Sequence, residues 1–314
     1  MRIKNGTVWK DTEGNRLHAH GGWIIKHGDV YYWYGENRLD GIYVSCYAST
    51  DLVNWEFRNH VLTQESETRE GRVRAELKLS DEYGKKVNIE RPKVLFCRKT
   101  GRFVMWMHYE NGKDYTCAAA AVASCDTPDG DFVYHGSFNP YGEMSRDCTL
   151  FEDEERVYFL SAARDNADMH MYLLQEDLLN IECLTARFWQ GEYREAPALV
   201  KKDERYYIMS SYCTGWAPNQ GKYAVSACLE QGFGMLKNIG DATTYDSQPA
   251  FILKLRGSET TSYIYVGDRW DADDYHNSRY VWYPLVFRED GSMELIECSE
   301  LEIDAEKGYV KPLI

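Results

Sequence analysis

The sequence of 314 residues predicts an all-β protein, and more narrowly a five-bladed β-propeller in one domain over residues 1–314. The first observation is a pattern that occurs five times: a polar residue, a short apolar run, a turn and an aromatic-rich run. Each copy is typical of a β-hairpin. The second observation is that corresponding aromatic residues recur every 49 to 71 residues, a period that suits propeller blades. The third is the composition, with 24 Tyr and 9 Trp, which favours β-structure.

The five copies follow one another along nearly the whole chain, and each is expected to begin one blade. The leading polar residues are His20 before GGWIIKHGDVYYWYG, Glu90 before RPKVLFCRKTGRFVMWM, Asp147 before CTLFEDEERVYFLS, Glu195 before APALVKKDERYYIMSS and Gln248 before PAFILKLRGSETTSYIYVG. Strand-like runs after each copy, such as residues 42–57 in the first, supply the outer strands that a four-stranded blade needs.

Two segments lie outside this pattern. The charged stretch at residues 63–88 is interpreted as a solvated excursion between the first and second blades. Residues before His18, such as Thr7 to Lys10, are expected to add an outer strand to the last blade.

Charge and composition limit the partners. The formal net charge is −14, from 50 acidic and 36 basic residues, so a polyanion such as nucleic acid would be repelled. No run approaches the roughly 18 apolar residues of a membrane-spanning helix. The N-terminal MRIKNGTVWKDTEGN lacks the apolar segment of a signal peptide, which favours a cytoplasmic protein. The nine cysteines contain no CxxC pair, and most are expected to be buried, reduced thiols.

The five leading residues are the candidates for chemistry, because the innermost strands of a propeller begin around one mouth of its central channel. Three carboxylates, an imidazole and an amide would therefore converge there. Carboxylates held close together raise one another's pKa, which costs stability unless the effect is used. Paired carboxylates are what glycosidic cleavage requires, one as the general acid and another aligned with water or sugar.

Nine segments in order resemble glycoside hydrolase family 43, most closely its exo-β-1,3-galactanase branch: HAHGG, YYWYGEN, YASTDLVNW, NIERPKV, SRDCTLFEDE, YREAPALVKK, CTGWAPNQ, DSQPAF and VGDRW…SRYVWYPL. The resemblance implies a five-bladed propeller and hydrolysis by a single displacement with inversion. It also implies that Glu195 is the catalytic acid and that Asp147 tunes its pKa and orients it.

The sequence departs from the common pattern of the family at the general base. Most members carry an aspartate on the first blade, where this sequence has His20 in LHAHGGW. Glu90 in IERP and Gln248 in SQPA are the candidates to replace it. Glu90 is interpreted as the base or a group assisting it, and Gln248 as a residue that positions water, with the choice between them open.

Sugar binding is expected from residues around this centre. The substrate-binding candidates are His20, Tyr109, Glu110, Thr214, Trp216, Asn219, Arg269 and Trp270. Aromatic faces pack against the apolar face of galactose, while amides and carboxylates take its hydroxyl groups. By contrast Trp33, Trp106 and Trp282 lie inside strand-like runs and are expected to pack in the core.

No cofactor is expected to be required. His18 and His20 alternate along a strand and could join Asp147 around a metal, but further ligands at fixed spacing are not evident; a structural cation on the channel axis is the alternative. The leading function is an exo-acting, inverting glycoside hydrolase that releases galactose from β-1,3-galactan or its oligosaccharides. The alternatives are an α-L-arabinofuranosidase, a β-xylosidase, or a non-catalytic carbohydrate-binding propeller. The oligomeric state is left undetermined.

Overall fold

Strands dominate the computed structural model, which describes residues 1–69 and 87–313. In these ranges the chain forms 23 β-strands and three short 3-10 helices, Pro140–Gly142, Leu229–Gln231 and Tyr275–Asn277. Twenty strands form five four-stranded sheets, in each of which consecutive strands pair antiparallel. The prediction of an all-β fold is confirmed.

The strands of the five sheets follow in chain order. The first sheet contains β2 (His20–His27), β3 (Val30–Glu36), β4 (Ile42–Ser49) and β5 (Glu56–Thr63). The second contains β6 (Asn88–Cys97), β7 (Arg102–Glu110), β8 (Ala119–Cys125) and β9 (Val133–Phe138). The third contains β10 (Ser145–Asp153), β11 (Arg156–Ala163), β12 (Asp168–Leu174) and β13 (Ile181–Phe188). The fourth contains β14 (Arg194–Lys202), β15 (Arg205–Tyr212), β16 (Lys222–Ser226) and β17 (Lys237–Asn238). The fifth contains β18 (Gln248–Arg256), β19 (Thr261–Arg269), β20 (Arg279–Phe287) and β21 (Met293–Leu295).

A sixth sheet joins the two ends of the chain. It consists of β1 (Arg2–Lys4), β22 (Glu300–Asp304) and β23 (Tyr309–Leu313), with Ile3 paired to Leu301. The prediction that Thr7 to Lys10 supply a strand to the last sheet is therefore wrong, because β21 already fills that place and the N-terminal strand pairs with β22. Of the predicted excursion at residues 63–88, residues 70–86 lie outside the described residues.

The first strands of the five sheets form a closed ring. Each of β2, β6, β10 and β14 contacts the first strand of the next sheet, and β18 contacts β2. Lys93 of β6 has no exposed surface, and its ammonium group donates hydrogen bonds to the carbonyls of Gly21 and Gly22 on β2, at 2.6 and 3.1 Å. A protein cation thus links the first two sheets inside the ring.

Apolar and aromatic side chains fill the space between the sheets. Trp33, Trp106 and Trp282 each have at most 1% of their surface exposed, which confirms their predicted place in the core. Six of the nine cysteines are buried and none forms a disulfide, in agreement with the prediction of reduced thiols. In the part of the chain that the structure describes, no helix has the length and apolar character needed to cross a membrane.

Candidate active site

A break in strand pairing occurs next to the leading polar residue of each first strand. The register shifts after His20, after Glu90, between Ser145 and Cys148, after Glu195 and after Pro249. In three of the five strands the residue after the leading one has positive φ, namely Gly21 (56°), Arg91 (53°) and Ala196 (52°). Bulges of this kind re-aim side chains and are common beside active sites. Here they turn the ends of the first strands toward a shared cavity.

This cavity has a volume of about 310 Å³ and contains four of the five leading residues: Glu90, Asp147, Glu195 and Gln248. Trp216 and Trp270, which were predicted to bind sugar, also line it. All four predicted catalytic side chains therefore lie in one site, contributed by the second to fifth sheets.

Glu195 has the electrostatic environment of a general acid. Gln248 Nε2 donates to its Oε1 at 3.0 Å, and Asn166 Nδ2 donates to its Oε2 at 3.2 Å. Burial, followed by the negative charge of Asp147, raises the pKa of Glu195 to about 7. A carboxyl group with this pKa is protonated in a large fraction of molecules near neutral pH and can still release its proton.

Arg91 connects Asp147 to the rest of the site. Its Nη2 lies 2.9 Å from Asp147 Oδ2 and donates to Gln248 Oε1 at 2.6 Å, while its Nη1 donates to the carbonyl of Pro249 at 3.0 Å. The guanidinium is buried, and it fixes the positions of Asp147 on β10 and of Gln248 and the Pro249 carbonyl on β18 relative to one another.

The hydrogen bonds of Gln248 fix the orientation of its amide. Oε1 accepts from Arg91 and from Trp270 Nε1 at 2.7 Å, and both of these groups are donors only. Nε2 donates to Glu195 and to Ser211 Oγ at 2.9 Å. Gln248 therefore places an NH₂ group against the carboxylate of Glu195.

Glu90 has the opposite environment to Glu195. Its Oε1 accepts from Arg38 Nη2 at 2.8 Å and from Tyr115 OH at 2.7 Å, and its Oε2 lies 3.2 Å from His108 Nδ1. Burial would raise the pKa of Glu90, but Arg38 and His108 outweigh it and hold the pKa well below its usual range. Burial would likewise lower the pKa of His108, yet hydrogen bonds to Glu110 and Glu90 raise it to about 10. Glu90 is thus an ionised carboxylate beside an imidazolium.

A second carboxylate, Glu36, enters the site from the end of β3, where it pairs with His20. Its Oε2 accepts from Arg38 at 3.0 Å, and its Oε1 accepts from the backbone N–H of Arg91 at 3.0 Å. Burial raises the pKa of Glu36. The first sheet therefore does place an acidic group in the cavity, but from its second strand.

One wall of the cavity is aromatic. Trp270 stacks on Tyr275 with ring centroids 5.8 Å apart, and Trp216 meets both rings edge-on. The guanidinium of Arg38 lies 4.5 Å from the Tyr275 ring and 5.8 Å from the Trp216 ring. This wall offers both an apolar face and charged groups, as carbohydrate binding requires.

Three predicted sugar-binding residues are buried away from the cavity. His20 is 1% exposed, because its Nδ1 is bonded to Asp268 Oδ1 at 2.8 Å and its ring stacks on Tyr280. Glu110 is fully buried and contacts His108 and the N–H of Ala118, so it supports the site from behind. Tyr109 is buried in an apolar cluster, since β7 continues to Glu110 and alternate residues point away from the ring.

Asn219 and Arg269 line a neighbouring cavity of about 270 Å³ that shares Trp216, Gln248 and Trp270 with the first. Thr214 lines neither cavity; its hydroxyl donates to the carbonyl of Ala217 and accepts from Asn219, which shapes the loop that carries Trp216.

The histidine set considered for a metal is not assembled. The His18 ring packs edge-on against His276, and His20 is bonded to Asp268. Ligand atoms of Glu90, His108 and Asp147 lie within 4.8 Å of one another. Each of these groups already faces an opposite charge, however: Arg38 at Glu90, Arg91 at Asp147, and two carboxylates at His108. The donors are thus satisfied by charges of the protein itself.

Several cavity residues were missed by sequence reasoning. They are Glu36, Arg38, Arg91, His108, Tyr115, Arg146, Asn166 and Cys213. Most stand at the ends of second strands or in the connections that follow, where the recurring pattern has no fixed residue type. Asn166 ends a run of three residues with positive φ (Arg164, Asp165 and Asn166), a conformation that Asn tolerates but that is visible only in the structure.

A buried, protonatable glutamate beside an aspartate–arginine pair, facing an ionised carboxylate and an aromatic wall, defines the site as that of a glycoside hydrolase. The sequence profile of glycosyl hydrolases family 43 matches residues 16–232, and the chain belongs to this family.

Three solved structures that are similar over nearly the whole chain are two exo-β-1,3-galactanases and a β-1,3-galactosidase. An exo-β-1,3-galactanase from Clostridium thermocellum is 47% identical, with a TM-score of 0.91, covering 100% of this chain and 69% of that one. An exo-β-1,3-galactanase from Phanerochaete chrysosporium, crystallised with β-1,3-galactotriose, is 32% identical, with a TM-score of 0.88 and coverages of 99% and 70%. A family 43 β-1,3-galactosidase crystallised with galactodeoxynojirimycin is 30% identical, with a TM-score of 0.82 and coverages of 95% and 99%. No curated protein sequence matches the chain.

Proposed function

We propose that this family 43 hydrolase is an exo-β-1,3-galactanase that removes galactose, with inversion, from β-1,3-galactan or its oligosaccharides. The observation that carries the proposal is the environment of Glu195, a carboxyl with a pKa of about 7 in a cavity that also holds the ionised Glu90. The choice of galactose is supported by the similar galactanases and galactosidase.

The architecture supports the same proposal. Five four-stranded sheets whose first strands contact one another in a closed ring are the arrangement of a five-bladed β-propeller, with β1, β22 and β23 as an added sheet. The cavity lies at the end of the ring where the five first strands begin. Its volume of about 310 Å³ is at the lower end of ligand pockets, which favours recognition of a chain end over a long stretch of polymer.

In the single displacement, Glu195 donates its proton to the glycosidic oxygen as the bond from that oxygen to the anomeric carbon breaks. Asp147 acts through charge: its carboxylate disfavours ionisation of Glu195 and so keeps the proton in place until the transition state. Arg91 holds Asp147 and Gln248 at set positions during this step.

Water attacks the opposite face of the anomeric carbon, and Glu90 and Gln248 are the two candidates to activate or position this water. Glu90 is a carboxylate, but its low pKa makes it a weak base and suits it to accept hydrogen bonds from sugar hydroxyls. Gln248 lies in the same cavity with its amide oriented by Glu195, Ser211 and Arg91, and it contacts the water by exchanging one of these hydrogen bonds. We assign Gln248 to the orientation of the water and Glu90 to the sugar. The proton that the water loses as its oxygen bonds to the anomeric carbon passes to solvent, with Glu90 as the alternative acceptor and base.

Hydrolysis of β-1,3-galactobiose, compared with aryl α-L-arabinofuranosides and aryl β-xylosides, tests the substrate. The galactobiose should be cleaved and Glu195→Gln should be nearly inactive, with a loss of about 10²- to 10⁴-fold. Preferred cleavage of the arabinoside or xyloside would contradict the galactanase assignment, and galactan binding without any cleavage would favour a carbohydrate-binding module.

Chemical rescue with azide tests the two candidates at the water. Azide can attack the anomeric carbon in place of the water and needs neither a base nor an orienting group, so Glu90→Gln and Gln248→Ala are assayed with and without it. Rescue of Gln248→Ala alone is expected. Rescue of Glu90→Gln alone would identify Glu90 as the base, and rescue of neither would refute both candidates.

A further inference from the structure

Asn166 has an unusual combination of contacts beside the proposed acid. Only 6% of its surface is exposed, and its Nδ2 donates to Glu195 Oε2 at 3.2 Å. Its Oδ1 is buried and has no hydrogen-bond partner among the described residues. A buried acceptor without a donor costs about 1–3 kcal/mol. The unpaired Oδ1 of Asn166 would reach the catalytic carboxyl if the side-chain amide rotated about its Cβ–Cγ bond.

The backbone at Asn166 is also specialised. Arg164, Asp165 and Asn166 have φ of 50°, 58° and 64° in the connection between β11 and β12. Such a run is rare for residues other than glycine and costs conformational energy. The connection turns Asn166 into the cavity, against a residue of the next sheet.

The two oxygens of Glu195 are not equivalent. Gln248 is held by donor-only groups so that its NH₂ faces Oε1, which leaves Oε1 as an acceptor. The acid proton must then reside on Oε2, the oxygen that faces Asn166. A protonated Oε2 is a donor and conflicts with the NH₂ of Asn166, but it matches the free Oδ1 when the amide rotates by half a turn.

We infer that Asn166 is a positioning residue whose amide rotates with the protonation state of Glu195, accepting a hydrogen bond from the protonated Oε2 through Oδ1 and donating one to the carboxylate through Nδ2 after proton transfer. The inference rests on the proposed role of Glu195 as the acid. The proton passes from Oε2 to the glycosidic oxygen as the glycosidic bond breaks, and Asn166 itself gains and loses none.

The other groups around Glu195 do not provide this exchange. Asp147 and Arg91 act through charge, and Arg194 points away, with its guanidinium bonded to Ser210. The thiol of Cys213 interacts with Glu195, but its Sγ donates to the carbonyl of Tyr193 at 3.2 Å and its sulfur is only a weak acceptor, so it is a poor partner for a protonated Oε2. Asn166 is the partner of Oε2 that can both donate and accept.

Two variants that tolerate the backbone conformation test the inference: Asn166→Gly, which removes both functions, and Asn166→Asp, which keeps the shape and loses the permanent donor. The substrates are β-1,3-galactobiose, which needs a proton on its leaving group, and 2,4-dinitrophenyl β-galactoside, which hardly does. We expect the loss of kcat for Asn166→Gly to be at least tenfold larger on galactobiose than on the dinitrophenyl galactoside. Because Asp adds a negative charge beside Glu195, Asn166→Asp should move the alkaline limb of the pH profile upward.

Equal losses on the two substrates, or an unmoved alkaline limb in Asn166→Asp, would overturn the inference. The melting temperatures of both variants serve as the folding control. Failure of the proposed function itself is separate, since the wild-type protein would then not cleave galactobiose at all.

Discussion

Replacement of Asp147 by Asn should move the alkaline limb of the pH profile of kcat/KM downward. That limb reports the pKa of the essential acid in the free enzyme. The pKa of Glu195 is raised to about 7, first by burial and second by Asp147. Relative to an ordinary glutamate the shift corresponds to about 3 kcal/mol, and because burial is the larger cause, Asp147 accounts for less than half. The removal of its charge should therefore lower the limb by about one pH unit.

The sign of this effect decides the outcome near neutral pH. An acid with a pKa of about 7 is half protonated at pH 7, whereas after a fall of about one unit roughly a tenth remains protonated. The assay is galactose release from β-1,3-galactobiose between pH 5 and 9, with Asp203→Asn as the matched control, because Asp203 is exposed in the β14–β15 turn. A limb that stays in place, or moves upward, would refute the role of Asp147.

Two further predictions concern how the site is held in place. A Cβ atom on Gly21, at φ +56°, would lie 2.3 Å from Glu36 Oε1, so Gly21→Ala should displace Glu36 and lower kcat/KM by about 10- to 100-fold. The control is Gly28→Ala, at φ +62° with open space around it, which should leave kcat/KM unchanged. Equal effects of the two substitutions would contradict a role for Glu36. Arg91→Met should lower the free energy of unfolding by about 3–5 kcal/mol in urea denaturation, because Asp147 is left without its cation. The double variant Arg91→Met with Asp147→Asn should lose less free energy of unfolding than the sum of the losses of the two single variants. Additive losses would argue against the ion pair.

The sequence predicted the centre of the site because its residues occupy equivalent places in a repeated unit. Glu90, Asp147, Glu195 and Gln248 each lie within the first three residues of a first strand, and a closed ring of first strands brings such positions together whatever the details of the loops. His20 also stands at the start of a first strand, but its side chain does not line the cavity. Asp268, 248 residues away, captures its imidazole, and sequence order does not reveal that pairing.

The rest of the site depends on where strands end and how connections pack. Tyr109 and Glu110 were predicted to bind sugar, but β7 extends through both of them and buries them. Arg38 and Tyr115 reach Glu90 from two different connections, so their roles follow from tertiary packing rather than from any local pattern. Asn166 likewise meets Glu195 across two sheets.

The most direct test of the central claim is the anomeric form of the galactose first released from β-1,3-galactobiose, followed by proton NMR before mutarotation. Protonation by Glu195 with attack of water from the opposite face predicts α-galactose as the initial product, with release by Glu195→Gln lowered by about 10²- to 10⁴-fold. Initial release of β-galactose would show retention, and undiminished release by Glu195→Gln would show that another residue is the acid; either result would contradict the account.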